Sequence, residues 1–482
     1  MITMDSIWTK TKELPERQTL TEDLKTDAAV IGGGMAGILT AYLLEEAGIR
    51  TVVLEASRIG SGQTKNTTAK ITSQHGLIYD KLLTSFGEEK TSQYAQINEN
   101  AIDEYRRIIA NQNISCHFKD TSAYLYSLKE SETLKKEAEA AKRAGIDACF
   151  TTETELPFKV EGAVCFKNQA KFHPLEFLGA AAEKLTVFEN SRVLDVDEYQ
   201  VRTANGSVTA ENIIFTTHYP FLNVPGYYFM RMHQERSYVL ALEGASLPEG
   251  MYLGTDKNGL SLRSEENLLL FGGAGHRTGE NRRGKQYDLL RKQARALWPE
   301  CREKAHWSAQ DCMTLDGLPY IGTFSSETPS WYAATGFGKW GMTFSMVSAM
   351  IIRDKILGRR GPASDLFSPQ RFTPSASART FLDDGLHAVR DLSRQLFSPP
   401  RDKTDALPEG HGGIVEYDGK KAGVYKDEGG QLHVVSPKCP HLGCQLEWNP
   451  DEKSWDCPCH GSRFDYKGHL IDNPAQEGLK HV

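Results

Sequence analysis

The chain has 482 residues, a formal net charge of −7 and ordinary fractions of hydrophobic (39%) and charged (25%) residues. That length gives two or three globular domains, and the mild acidity without a basic block argues against a nucleic-acid partner. No apolar run is long enough to span a bilayer and Met1–Leu20 lacks a secretory apolar core, so a cytoplasmic protein is expected.

The first predicted unit is a strand–turn–helix–strand over Asp27–Glu55. Gly32-Gly33-Gly34-Met35-Ala36-Gly37 follows a short apolar strand and precedes a helical run, Ile38–Ala47; Glu55 stands eighteen residues beyond Gly37 at the end of a second strand. Glycines there permit a tight turn and let a pyrophosphate approach a helix N-terminus, and an acid at that distance can hold ribose hydroxyls. This fingerprint alone leaves FAD and NAD both open.

Beyond it lies the glycine- and threonine-rich Gly60-Ser-Gly62-Gln-Thr64-Lys-Asn66-Thr-Thr68. Helices are expected at Glu88–Asn111 and Lys129–Gly145, rich in Ala, Glu and Lys. Gly226–Gly275 reads as strand-rich, with runs such as Asn267-Leu-Leu-Leu-Phe. A strand at Trp331–Thr335 leads into Gly336-Phe-Gly338-Lys339-Trp-Gly341-Met342 and a helix, Thr343–Leu357. No second strand ending in an acid follows, so this is not a second dinucleotide cradle. After a break at Gly361–Pro374, a helix is expected at about Ala376–Leu396, then a linker, Ser398–Asp405. A small all-β domain starts near Leu407, with strands such as Gly413–Tyr417 and Gly423–Lys426.

That last domain carries Cys439-Pro-His441-Leu-Gly-Cys444 and, with fifteen residues between His441 and Cys457, Cys457-Pro-Cys459-His460-Gly-Ser462. Each loop mixes a cysteine with a histidine, which suits a [2Fe–2S] cluster with two thiolates on one iron and two imidazoles on the other. Neutral imidazoles remove negative charge and raise the potential to roughly −150 to +300 mV, against about −400 mV for all-cysteine clusters. Zinc takes the same ligand types and stays the alternative, although zinc sites usually pair like ligands.

The tail closely resembles the Rieske family, in its cytochrome bc and b6f form. The resemblance implies that Cys439 and Cys457 hold the inner iron and His441 and His460 the outer one. Their ring edges are then expected to face solvent or a partner as the electron port. It also implies a Cys444–Cys459 disulfide, a Ser462 hydroxyl serving a cluster sulfide, and Asp472-Asn473-Pro474-Ala475 as the covering proline loop. Phe464 stands where high-potential members have tyrosine, so a lower midpoint is expected. The remaining cysteines are scattered singly, as core residues. The chain shows no 2-His-1-carboxylate set of the kind a Rieske oxygenase adds.

Residues 25 to 370 resemble the D-amino-acid oxidase and glycine oxidase superfamily through the motifs above and through Ser191-Arg-Val193, Ile213–Thr217 and Thr314-Leu-Asp316-Gly-Leu-Pro319. This likeness implies FAD, held without a covalent bond because Asn66 replaces the histidine some members use. Implied contacts are Gly32, Gly34, Gly37, Glu55, Gly62, Thr64, Thr68, Val193, Thr216, Gly336, Gly338, Lys339, Gly341 and Met342. The expected fold class is α/β plus all-β. It comprises a Rossmann-type FAD-binding domain (about 25–80, 155–220 and 305–365) with an inserted mixed-sheet substrate domain, a helix and linker (371–405), and a Rieske domain (406–482).

Joined, the two ends imply a dehydrogenase that takes a hydride from an amine or amino-acid-like substrate. Electrons then leave singly through the cluster to an unidentified acceptor. The alternative is an oxygen-using amine oxidase whose Rieske domain is a redox sensor or docking module; a reductase fed by NADH lacks a nicotinamide domain. The resemblance to glycine-oxidase-like members implies that Asp311 stands where they have a carboxylate-clamping arginine, which favours an ammonium group, and that Lys339 replaces a second arginine and retains some affinity for an anion. Catalytic candidates are Asp311, Lys339, Arg263 and Tyr238, with Arg236, His276, Arg277 and His75 as lesser ones.

Overall fold

Ala28-Ala29-Val30-Ile31, the end of strand Leu24–Ile31, is wholly buried. A strand covered on both faces belongs at the centre of a parallel sheet. Leu24–Ile31 pairs in parallel with Ser207–Phe215 on one side and Thr51–Leu54 on the other. Thr186–Phe188 extends the parallel array beyond Thr51–Leu54, and Thr328–Thr335 extends it beyond Ser207–Phe215, with Tyr320–Ser325 as an antiparallel edge. The computed structural model behind this description covers residues 4–371 and 407–482; the helix and linker expected over 371–405 lie almost wholly outside them.

Two helices, Met35–Glu46 and Gly341–Ile356, pack on this sheet and on each other, and both are apolar nearly all round. Each begins two or three residues before the expected start, because the glycine-rich stretch forms the first turn instead of a loop. The helix expected at Glu88–Asn111 reaches back to Tyr79, across a kink at Gly87, whose φ of 80° is incompatible with a helix.

A second, nine-stranded sheet is antiparallel apart from one pair, Met251–Gly254 with Lys119–Ser127. It includes Arg302–Thr314, Met232–Glu243, Leu268–Arg277 and Gly162–Lys171. The first, mostly parallel sheet takes strands from residues 24–54, 186–215 and 320–335, and the helix Pro174–Ala181 packs beside its first helix. The C-terminal region is all antiparallel β: a three-stranded sheet (His411–Tyr417, Lys420–Lys426, Leu432–Val435) and a four-stranded one (Glu447–Asn449, Ser454–Asp456, Arg463–Asp465, Leu470–Asp472). No helix among the described residues is long and apolar enough to cross a membrane.

Candidate functional site

The dinucleotide turn is built by close contact. A side chain on Gly37 would put its Cβ 1.8 Å from the Gly32 carbonyl oxygen, so only glycine lets the helix rest on the preceding turn. Glu55 accepts hydrogen bonds from the Gly33 (2.7 Å) and Ser57 (2.8 Å) amides, one on each oxygen, which leaves each a lone pair for a ribose hydroxyl. Burial raises its pKa above the ordinary value. Thr64 Oγ1 accepts from the Met35 amide (3.0 Å), tying the second glycine-rich segment to the helix N-terminus.

These groups border a cavity of about 650 Å³. Of the expected FAD contacts, Gly32, Gly34, Glu55, Gly62, Thr64, Val193, Thr216, Gly338, Lys339, Gly341 and Met342 line it. Gly37, Thr68 and Gly336 do not. Thr68 spends its carbonyl on Arg263 Nη1 (2.5 Å), and Gly336 turns the chain at φ 73° against Thr314. A long cavity with a glycine-rich helix N-terminus on its wall and an acidic residue beside it suits FAD.

The catalytic candidates divide. Strand register sets Glu235 opposite Asp311, a like-charge pair that would be unfavourable alone. The Cys312–Gly338 bridge carries Lys339 to them, and its ammonium lies 2.9 Å from Asp311 and 3.1 Å from Glu235. A hydrogen bond from His233, and then Lys339, holds Glu235 down to about 2. Asp311 and Lys339 line the cavity; Arg263 and Tyr238 do not. Arg263 is fully buried against the Thr68, Ala69 and Phe172 carbonyls and Glu265. Tyr238 points away, to His276 Nε2 (3.0 Å) and Asn281 (3.2 Å). His75 is also off the wall, its Nδ1 bonded to the Tyr94 hydroxyl (2.6 Å), and burial takes it down to about 3, so it is neutral.

The two cysteine–histidine loops are built alike. In each, the amide two residues beyond the histidine or directly after it closes a turn onto the cysteine carbonyl: Gly443 to Cys439 and Gly461 to Cys457, both at 2.9 Å. Cys444 and Cys459 form the disulfide that joins the loops. Cys457 is the sulfur near that bridge left with a thiol. It hydrogen-bonds to the Cys439 thiol, which falls to about 7 while Cys457 rises. His441 Nε2 donates to Asn223 Oδ1 (2.7 Å), which leaves the lone pair on Nδ1. The Nδ1 atoms of His441 and His460 are both buried without a hydrogen-bond partner, as iron ligands would be. Two close thiols and two inward-facing imidazole nitrogens fit a [2Fe–2S] cluster. Ser462 Oγ accepts from the Ala475 amide (3.0 Å), which fastens the proline loop.

The histidine edges, expected to face solvent or a partner, are only partly exposed and lie against the first domain. Asn223 covers His441, and the Phe229 ring lies 6.3 Å from the His441 ring and 5.8 Å from that of His460, centroid to centroid. The cluster domain is docked on the FAD-side domain. Gln234 Nε2 donates to the His460 carbonyl (2.7 Å), and Gln310 Nε2 donates to that of Gly461 (2.8 Å). A Cβ on Gly461 would strike the Gln234 side chain at 2.6 Å. Around these bonds, Arg236 pairs with Glu452, while Arg463 meets Glu452 (3.0 Å), Asp456 (3.1 Å) and Asp472 (3.1 Å). Arg236, a lesser catalytic candidate in the sequence, therefore holds the two domains together.

Sequence reasoning missed Gln63, Gln310 and His218 on the cavity wall, and missed that Leu470–Asn473 and Gln476 complete it. His218 directly follows Thr216-Thr217 and could have been found; the glutamines carry no spacing signal.

Residues 27–355 match the family described as FAD dependent oxidoreductase, and residues 400–482 match the Rieske [2Fe-2S] domain. The protein YhfW of Bacillus subtilis (strain 168), described as a Rieske 2Fe-2S iron-sulfur protein, is 35% identical over 99% of this chain and 97% of its own length. The gamma-glutamylputrescine oxidoreductase of Escherichia coli (strain K12) is 28% identical over 41% of this chain and 50% of its own. Among solved structures, glycine oxidase from Geobacillus kaustophilus superimposes with a TM-score of 0.61 over 72% of this chain and 99% of that one, at 18% identity. Most of the cavity wall lies in the first matched region and the cysteine–histidine loops lie in the second, so the first domain binds FAD and the second a [2Fe–2S] cluster. The chain belongs to the FAD-dependent oxidoreductase (DAO) family, in a form that ends in a Rieske domain.

Proposed function

We propose that this oxidoreductase is a dehydrogenase for an amine or amino-acid derivative, with electrons leaving the flavin singly through the Rieske cluster of the same chain. Bound FAD supplies a hydride acceptor and the cluster a one-electron carrier. The observation that carries the reading is Gln310. Its amide bonds Gln63 Oε1 (2.8 Å) on the cavity wall, and its side chain bonds the Gly461 carbonyl beside His460. One residue thereby bridges the flavin cavity and a cluster loop.

The chain's own groups select the substrate. Lys339 is held between two carboxylates, so the Asp311–Glu235–Lys339 set carries one surplus negative charge beside the cavity. It attracts an ammonium group and offers no free cation to a carboxylate. The gamma-glutamylputrescine oxidoreductase among the relatives, named for an amine derivative, agrees with that choice. Scattered free cysteines support a cytoplasmic setting. A second reading, an oxygen-using oxidase with the Rieske domain as a sensor or docking module, is favoured by the covered His441 edge. Anaerobic titration with candidate amines, followed by EPR, separates them: reduced cluster supports the dehydrogenase, and bleached flavin beside an oxidised cluster supports the oxidase.

A further inference from the structure

We infer that the Rieske domain is itself part of the FAD-binding site: the strip Leu470–Asn473 with Gln476 forms a lip over the dinucleotide cavity and slows FAD release. Five residues of this C-terminal domain stand on the wall of a cavity whose remainder belongs to the first domain. Three hydrogen bonds pin the lip in place. Asn473 Nδ2 donates to the Thr217 (2.9 Å) and Tyr219 (2.7 Å) carbonyls, in the turn that follows the strand under the cavity, and Gln63 Nε2 donates to Asp472 Oδ1 (3.0 Å).

Ile471 is 48% exposed, a large apolar group left uncovered at the cavity edge. An apolar side chain in that position gains by packing against a flat heteroaromatic ligand. Leu470 and Gln476 also border an adjoining hollow of about 340 Å³, and Arg192 is on the wall of both spaces. The Ser191 amide bonds the Glu55 carbonyl (2.8 Å), which sets Arg192 beside the carboxylate suited to ribose hydroxyls, so the lip closes on the adenosine half of FAD. The docked Rieske domain therefore does two things: it sets the cluster beside the first domain and it retains the flavin nucleotide.

The test measures FAD release from the full-length holoprotein after dilution, by recovery of flavin fluorescence, alongside the EPR signal of the cluster. Ile471→Ala and Gln476→Ala alter exposed side chains and leave the cluster loops untouched. Each is expected to speed release by about tenfold, the ratio that about 1.4 kcal/mol of lost contact produces, with the cluster signal unchanged. Asn473→Ala, which frees the lip from the Thr217–Tyr219 turn, is expected to speed release further. Release rates within about twofold of wild type in the two exposed-residue variants, cluster intact, overturn the proposal.

Discussion

Asp311 and Lys339 divide the labour at the cavity in a way that a single substitution can expose. Asp311→Asn leaves Lys339 facing Glu235 alone and removes the surplus negative charge. Binding of an ammonium substrate should weaken by about tenfold, seen as a higher KM with little change in kcat, because the carboxylate acts in binding and takes no part in the bond change. An unchanged KM contradicts the assignment. Arg263→Met has a different expected signature. The guanidinium lies away from the cavity and compensates the buried Glu265, so its loss should cost about 3–5 kcal/mol of stability, read as a lower Tm, without altering substrate preference. At the other end, Phe464 is fully buried in the same apolar cluster as Cys439 and Cys457. Phe464→Tyr should raise the cluster midpoint by about 40 mV or more, the equivalent of one hydrogen bond of about 1 kcal/mol to a cysteine sulfur. A voltammetric midpoint that stays put would show that the hydroxyl does not reach the sulfur.

At the scale of elements, docking is organised around the turn between Asn449 and Glu452. Asp451 accepts from the Lys285 and Gln286 amides (2.9 and 3.0 Å), so a residue of one domain caps the helix Gln286–Leu297 of the other. An uncapped helix end in contact with a neighbouring domain leaves amides unsatisfied, and the cap makes helix stability and docking interdependent. Glu452 lies beside it. Burial raises its pKa, but Arg236 and Arg463 outweigh that and hold it down to about 2, against an ordinary 4.5. A carboxylate depressed in the docked state contributes stability that is complete above its free pKa and lost as pH falls through the docked one. Arg463 belongs to the same domain as Glu452, so only the part of the shift that Arg236 supplies is linked to docking, which should hold steady from about pH 8 to 5 and weaken below about pH 4.5, as followed by small-angle scattering. Separation of the domains on raising the pH from 5 to 8 would contradict this account. Gly279 adds a steric condition: its φ is 83° and a Cβ there would sit 2.7 Å from Pro458, between Cys457 and Cys459, so Gly279→Val should loosen docking.

For the whole molecule, sequence and structure agree where the information is local. The spacing of Cys439, His441, Cys457 and His460 fits in one short segment, and so does the run from Gly32 to Glu55; both could be read because the chemistry dictates neighbours along the chain. The helix Tyr79–Gln112 was only half legible, since Gly87 breaks the periodicity that the kinked helix then resumes. Tertiary juxtapositions were not legible. Gln310 and Gly461 are 151 residues apart, and nothing in either neighbourhood marks them as partners. Arg236 and Tyr238 are catalytic candidates in the sequence because they lie on the strand-rich segment, yet their side chains meet the side that the cluster domain covers.

The central claim is that flavin and cluster work as one intramolecular relay. Its most direct test is rapid anaerobic mixing of the fully oxidised protein with a reducing amine, following flavin absorbance together with the freeze-quenched EPR signal of the cluster. The account predicts that the cluster becomes reduced after the flavin, at a rate independent of protein concentration. Flavin that bleaches while the cluster stays oxidised, or cluster reduction that speeds up in proportion to protein concentration, would contradict it.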